Sequence, residues 1–327
     1  MRCPTLQELP PPPPGKTGWP WTEGSKEIPE TMPDGSSWPK ISIVTPNFNC
    51  SHLIEETIRS VLLQGYPDLE YIIIDDGSTD NSVEIINKYK DHLSLFVTRP
   101  NKGQGPTINE GFSKATSDIF AWINSDDIYQ PDAVAEAAIE MQNHPEVDVI
   151  SGQCRTLGYP KGDYMLPPSP LRTYVDFLKV GSNWMSERLI VQPESFFRRR
   201  AFEAAGGLPE LCPRVCDAWL WFKMARLGCK FHSVPMHWAN IRLHSGARGF
   251  VIEYSYAELC QVAWSYLMQD WDMLGDDAKD IADDIFKAMD KLRQTEVKKF
   301  DHISGVLESV LRSPSFKLSR FLSKLRW

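Results

Sequence analysis

The chain has 327 residues, enough for one large domain or two modest ones, and its 42% apolar content allows a sizeable core. A formal net charge of −8 excludes broad nucleic-acid binding by the whole chain. No apolar run reaches the roughly 18 residues that span a bilayer. The opening MRCPTLQELPPPPPGK lacks the apolar core of a secretory signal. Seven scattered cysteines with no C-x-x-C pair support neither a disulfide framework nor a zinc site of that kind. The expected setting is the reducing cytoplasm.

Residues 1–39 read as an arm rich in Pro, Gly and polar residues, with polyproline geometry at Pro10 to Pro14. Gly15-Lys16-Thr17 is not a phosphate-binding loop, because Pro10 stands where such a loop needs Gly and no strand precedes it. Trp19, Trp21 and Trp38 are unusual in a disordered arm and imply that part of it packs on the domain.

From Ile41 the pattern changes. ISIVT predicts a strand stopped by Pro46. SHLIEETIRSVLLQG predicts a helix capped by Ser51 and ended by Gly65, with Leu53, Ile54, Ile58, Val61 and Leu62 on one face. Then come strand EYIIID, helix NSVEIINKY, strand LSLFVT, helix GPTINEGFSKA and strand IFAWI. Helix PDAVAEAAIEMQ, with Pro131 in its first turn, precedes strand EVDVISG.

This alternation predicts an α/β fold: a mostly parallel, doubly wound sheet with helices on both faces. Ligands of such sheets bind at the carboxyl ends of the strands. Three polar clusters fall at such ends, at residues 45–49, 75–78 and 124–127. Alone, the WINSDD stretch (Trp122 to Asp127) could be an ordinary turn. Three polar ends gathered on one rim make a site. No Gly-x-Gly-x-x-Gly follows the first strand, which argues against a dinucleotide. An acidic rim accepts a phosphorylated ligand only through a divalent cation, and Asp oxygens suit Mg²⁺ or Mn²⁺.

ISIVTPNFN, IEETIRSVLLQGYPDLEYIIIDDGSTDNSVEII, NKGQGPTINEGF and WINSDDIYQPDAV, in that order, closely resemble the family 2 glycosyltransferases of the GT-A fold, over about residues 40–250. The resemblance implies transfer of a sugar, with inversion, from a nucleoside-diphosphate sugar, using a divalent metal. It implies that Asp76 contacts the base or ribose and that Pro46 and Phe48 belong to the loop against which the base packs; Thr45, in the same polar strand end, is also expected to bind substrate. NSDD matches the D-x-D region, with Asp126 as metal ligand, Asp127 beside it, and Asn124 where many relatives carry Asp. QPESFFRRRAFEAAGGLPE resembles the stretch before the acceptor pocket. CDAWLWFKMARLG resembles the helix that opens with the catalytic acid, which makes Asp217 the base; an N-cap is the alternative reading. RLHSG resembles a late motif whose His, here His244, can face the metal or diphosphate. Lys102 and Gln104 could reach phosphate or ribose, or lie in a solvated loop. Cys212 and Cys216 read as packing residues.

Residues 251–327 read as a C-terminal helical extension. Its end, RSPSFKLSRFLSKLRW, carries five basic residues and no acid, with Leu318, Phe321, Leu322 and Leu325 on one helical face. That pattern suits peripheral contact of residues 312–327 with an anionic membrane, or a helix packed on the domain. The expected partners are a nucleoside-diphosphate sugar and a glycan or lipid-linked acceptor, as in surface polysaccharide synthesis. Two other classes are weighed. A sugar nucleotidyltransferase would want a Gly-rich basic loop where TPNFN stands. A non-catalytic nucleotide-sugar binder would keep the rim without needing Asp217.

Overall fold

A computed structural model describes residues 2–159, 162–186, 189–210, 214–244 and 252–294. Strand β1 (Ile41–Asn47) is buried along its whole length, as the run of β-branched residues requires of an interior parallel strand. Helix α1 (Ile54–Leu62) buries Ile54, Ile58, Val61 and Leu62. Ser51 does not cap it. The Ser51 N–H donates to Asp80 Oδ2 at 2.8 Å, and the N–H groups of Leu53 and Ile54 close a turn onto the Cys50 carbonyl. Leu53 therefore occupies the cap position with no side-chain bond.

Strand β2 (Leu69–Asp75), helix α2 (Ser82–Asn87), β3 (Leu95–Thr98), α3 (Gln104–Lys114) and β4 (Ile119–Trp122) follow in the expected order. A short β5 (Ile128–Tyr129) leads into α4 (Ala133–Asn143). Pro131 lies before α4 rather than in its first turn, because Asp132 takes a left-handed φ of 66°. The chain near the N-terminus holds it there: Asp132 N–H donates to Ser25 Oγ and Lys26 N–H to Asp132 Oδ1.

Then come β6 (Val149–Leu157), β7 (Tyr164–Met165), α5 (Tyr174–Leu178), β8 (Ser195–Arg198), α6 (Arg199–Ala205), α7 (Cys216–Arg226) and β9 (Phe231–Arg242). Helices α8 (Ile252–Gln269), α9 (Trp271–Leu274) and α10 (Asp277–Gln294) close the described chain. No helix among the described residues is long and apolar enough to cross a membrane. Cys212 and residues 312–327 lie outside the described residues.

The strand order is β3-β2-β1-β4-β8-β6-β9-β5, with β7 on β6. Strands β1 to β4 pair in parallel, the block that the helix–strand alternation predicts. Strand β8 enters antiparallel between β4 and β6, which makes the whole sheet mixed. Alternate residues feed opposite layers, as the strand period of two demands. Val44, Ile72, Ile74 and Phe120 join one apolar layer with α3 and α5 to α8 and α10. Ile43, Tyr71, Ile73 and Ala121 join the other with α1, α2 and α4.

Cys3, Leu9, Met32 and Trp38 also belong to that second layer, so the N-terminal segment packs as its tryptophans suggested. Arg59, fully buried on α1, donates to the carbonyls of Pro10 (2.8 Å), Pro20 (3.0 Å) and Trp21 (2.9 Å). Carbonyls from this segment thus satisfy a charge that would otherwise be costly to bury. On the opposite layer, Gly111 lets α3 approach β1 closely: a Cβ there would lie 2.5 Å from Val44 Cγ1. That approach brings the N-terminus of α3, with Gly103 and Gln104, to the rim formed by the ends of β1, β2 and β4.

Candidate active site

The strand ends are joined by side chains before they offer anything to a ligand. Asn47 Nδ2 donates to Asp75 Oδ1 at 2.8 Å, and Thr98 Oγ1 donates to Asp75 Oδ2 at 3.1 Å. Asp75 thus ties the ends of β1, β2 and β3 together. Asp76, its neighbour, turns to the cavity and pairs with Arg99. The N–H groups of Lys102 and Gly103 donate to Asp76 at 2.8 and 2.9 Å, so this carboxylate also shapes the loop that enters α3.

The end of β4 is a turn, closed by Asp127 N–H donating to the Asn124 carbonyl. The turn is also a built site. Thr57 Oγ1 from α1 contacts the carbonyls of Ser125 and Asp127 at 2.9 and 2.7 Å. Arg242, the last residue of β9, donates to the Asp126 carbonyl, to Glu56 Oε2 at 2.7 Å and to Thr57 Oγ1 at 3.0 Å. Gln104 Nε2 donates to Asn124 Oδ1 at 2.8 Å. His244 Nε2 lies 3.1 Å from Asp126 Oδ2.

The two adjacent acids have separate environments. Asp127 is 4% exposed, and burial, reinforced by the charge of Asp126, pushes its carboxyl well above the usual range. Asp126 is half-buried and faces the cavity with His244.

Asp217 sits in the first turn of α7, one residue inside the helix, while Val215 holds the cap position. It is therefore not an N-cap. Its Oδ1 accepts from Ala218 N–H at 2.8 Å. Burial pushes its carboxyl up to about 6 against the opposing backbone hydrogen bonds. Beside it, Glu194 is 2% exposed; burial, with the charge of Asp217, pushes it well above the usual carboxylate range. Gln192 Nε2 donates to the Trp122 carbonyl and links this segment to β4.

One cavity of about 650 Å³ is lined by Pro46, Phe48, Asp76, Gln104 and Asn124 together with Asp126, Asp127, Asp217 and His244. This volume is within the usual range for small-ligand sites. Phe48 is 49% exposed at the wall, an uncovered aromatic face.

Two predicted residues lie elsewhere. Thr45 is fully buried, because the strand period turns it into the core, where its hydroxyl bonds to Tyr71 Oη at 3.0 Å. Lys102 is exposed and its side chain is not part of the cavity wall; only its backbone N–H serves the site. Sequence reasoning missed Arg242, and it quoted Gln192 and Glu194 without giving them a role. A signal was present for Arg242: it lies two residues before His244 in the RLHSG motif.

The profile of Glycosyl transferase family 2 matches residues 42–206, half of the chain. The chain belongs to this family. As a family 2 glycosyltransferase it is 26% identical to an uncharacterized glycosyltransferase of Rickettsia conorii over 246 residues, which cover 70% of this chain and 38% of that protein. It is 32% identical to the poly-β-1,6-N-acetyl-D-glucosamine synthase of Staphylococcus epidermidis over 117 residues, 35% of this chain and 28% of that one. The chain spans about two fifths of the length of the first curated relatives it matches. Its fold is the GT-A fold of solved family structures. S. aureus TarS 1-349, solved in complex with UDP-GlcNAc, superposes with a TM-score of 0.61 at 18% identity, over 80% of this chain and 76% of that one. The mannosyltransferase PcManGT of Pyrobaculum calidifontis, solved with GDP-Man and Mn²⁺, gives 0.55 at 19% identity, over 88% and 79%.

Proposed function

We propose that this chain is an inverting glycosyltransferase that moves a sugar from a nucleoside-diphosphate sugar to an acceptor hydroxyl. The observation that carries the reading is that a single cavity holds the Asp126–His244 pair and a carboxylate, Asp217, whose proton affinity suits a base near neutral pH.

In this reading the base of the donor packs against Pro46 and Phe48, and Asp76 contacts the nucleoside while it holds the loop before α3. Gln104 and Asn124 bond to the ribose or phosphates. The donor set fits a divalent cation: Asp126 and His244, one oxygen and one nitrogen side by side at the cavity wall, would hold it. When bound, Mn²⁺ or Mg²⁺ supplies Lewis-acid stabilisation of the charge that develops on the diphosphate. Asp217 takes the proton of the acceptor hydroxyl as its oxygen bonds to the anomeric carbon. The bond to the diphosphate breaks on the opposite face, and the electron pair leaves with the diphosphate. Asp127, buried under Arg242, keeps the turn rigid so that Asp126 stays aimed at the cavity.

The donors present in the TarS and PcManGT structures, UDP-GlcNAc and GDP-Man, support a nucleotide sugar here. The S. epidermidis synthase supports a growing glycan as acceptor. The test is a melting-temperature panel of nucleoside diphosphates and their sugars with Mn²⁺, followed by donor turnover. A ligand that binds only the folded chain raises its melting temperature. No stabilisation by any nucleotide sugar, with no donor turnover, would overturn the reading.

A further inference from the structure

We propose that Glu140, His144 and His232 form a second cation site, of a kind that takes Zn²⁺, at the end of the sheet away from the cavity. The site is independent of the proposed transferase chemistry. His232 is the second residue of β9, and Arg242, which touches the catalytic turn, is the last. Ten residues of strand separate them by roughly 30 Å.

Two elements bring the three side chains together. Glu140 and His144 are four residues apart at the C-terminal end of α4 and so share a face. His232 stands opposite Ile150 in the parallel β6–β9 ladder, which fixes it beside that helix end. One ligand atom from each residue lies within 4.8 Å of the others, and all three side chains are half-buried.

The imidazoles of His144 and His232 lie with centroids 4.4 Å apart. His144 Nε2 is 3.8 Å from Glu140 Oε2, and its Nδ1 is 3.8 Å from Glu146 Oε1. Both distances are too long for hydrogen bonds. Glu140 faces the Nε2 edge of the His144 ring and Glu146 the Nδ1 edge, so an ion shared by Nε2 and Glu140 would leave Glu146 outside its shell. Arg172 adds a positive charge near His232, and Glu140 and Glu146 oppose it.

Two imidazoles and a carboxylate match the Zn²⁺ preference for nitrogen and oxygen at about 2.0–2.2 Å, with a fourth position for water. At such bond lengths tetrahedral ligands stand about 3.4 Å apart, so small side-chain rotations close the observed separations. The C-terminal end of α4 also favours a cation. Bound there, Zn²⁺ would pin α4 to the start of β9.

The test is calorimetric titration of the full chain with Zn²⁺ alone as probe, the Asp126→Asn variant reporting any Zn²⁺ taken by the Asp126–His244 pair. His232→Asn and His144→Asn are compared with wild type and with Asp126→Asn. Both positions are half-buried and near the surface, so the histidine variants should fold. Wild type should bind one Zn²⁺ and melt at a higher temperature with it. Each histidine variant should bind at least about tenfold more weakly, and Asp126→Asn should bind as wild type does. Zn²⁺ binding that is unchanged in both histidine variants, absent in wild type, or lost only in Asp126→Asn would overturn the site.

Discussion

His244 Nε2 and Asp126 Oδ2 stand 3.1 Å apart across 118 positions of sequence, whereas Asp127, covalently next to Asp126, is buried beneath Arg242. The contact selects one acid of an adjacent pair for the cavity. Asp126→Asn should retain the turn, because its carbonyl rather than its carboxylate meets Arg242. Transfer should fall at least about a hundredfold, as expected when one group that stabilises leaving-group charge is lost. The further stabilisation that Mn²⁺ gives with a nucleoside diphosphate should disappear from melting curves. Unchanged metal response with intact turnover would remove Asp126 from the metal site.

Asp217→Asn should lower turnover by at least about a hundredfold and leave donor affinity unchanged, since this group works on the acceptor. In wild type, kcat/KM should rise as pH passes about 6, where the Asp217 carboxyl releases its proton. Stability should move the other way. The folded chain keeps this proton up to about pH 6, whereas the unfolded carboxyl releases it near 3.8, so this group's contribution to stability falls as pH rises between the two. Asp127 and Glu194, also raised by burial, act in the same direction. The Asn variant should therefore be more stable than wild type at neutral pH, by about 1–2 kcal/mol after allowance for solvent at the cavity wall. Parallel denaturant titrations at pH 4 and pH 7 check the sign. A variant with normal turnover would make Asp217 structural and send the search for the base to other acids such as Glu210.

Arg242→Met should destabilise the fold by about 1–3 kcal/mol, because Glu56 loses its partner while the half-buried carbonyls of Asp126 and Leu53 lose a donor. Donor turnover should fall with it, since the Asp126 turn is no longer held to α1. Urea unfolding measures the first effect and transfer kinetics the second. A stable variant with reduced turnover would assign Arg242 to the ligand rather than to the clamp.

Residues 312–327 are proposed as a peripheral membrane contact. Arg312, Lys317, Arg320, Lys324 and Arg326 would each contribute about 1 kcal/mol near an anionic surface. The full chain should float with anionic vesicles at low salt and detach as salt rises. Deleting residues 312–327 should abolish flotation and leave donor binding intact. Failure of the full chain to float at low salt rules out the contact, and a deletion that lowers the melting temperature points to a helix packed on the domain.

The sequence by itself determined the parallel block and most of its rim. Short apolar, β-branched runs separated by helices, three of the four running into Asn, Asp or Ser, permit little other than strands whose polar ends share one edge. The motif resemblance then named the chemistry. What lay beyond reach depended on partners far away in the chain. Asp75 became a tie between strands and Asp76 a cavity residue because Asn47 and Thr98 meet one and Arg99 the other. Thr45 belongs to a polar strand end, but the phase of β1 turns its hydroxyl onto Tyr71. Strand β8 enters the sheet from after a long connection, so its antiparallel sense leaves no local pattern. Gln192, Glu194 and Arg242 gain their places only when β8 and β9 close against β4 and α1. Burial and hydrogen bonding are properties of the packed chain, and they decide which of several similar side chains meets water, a neighbour or a substrate.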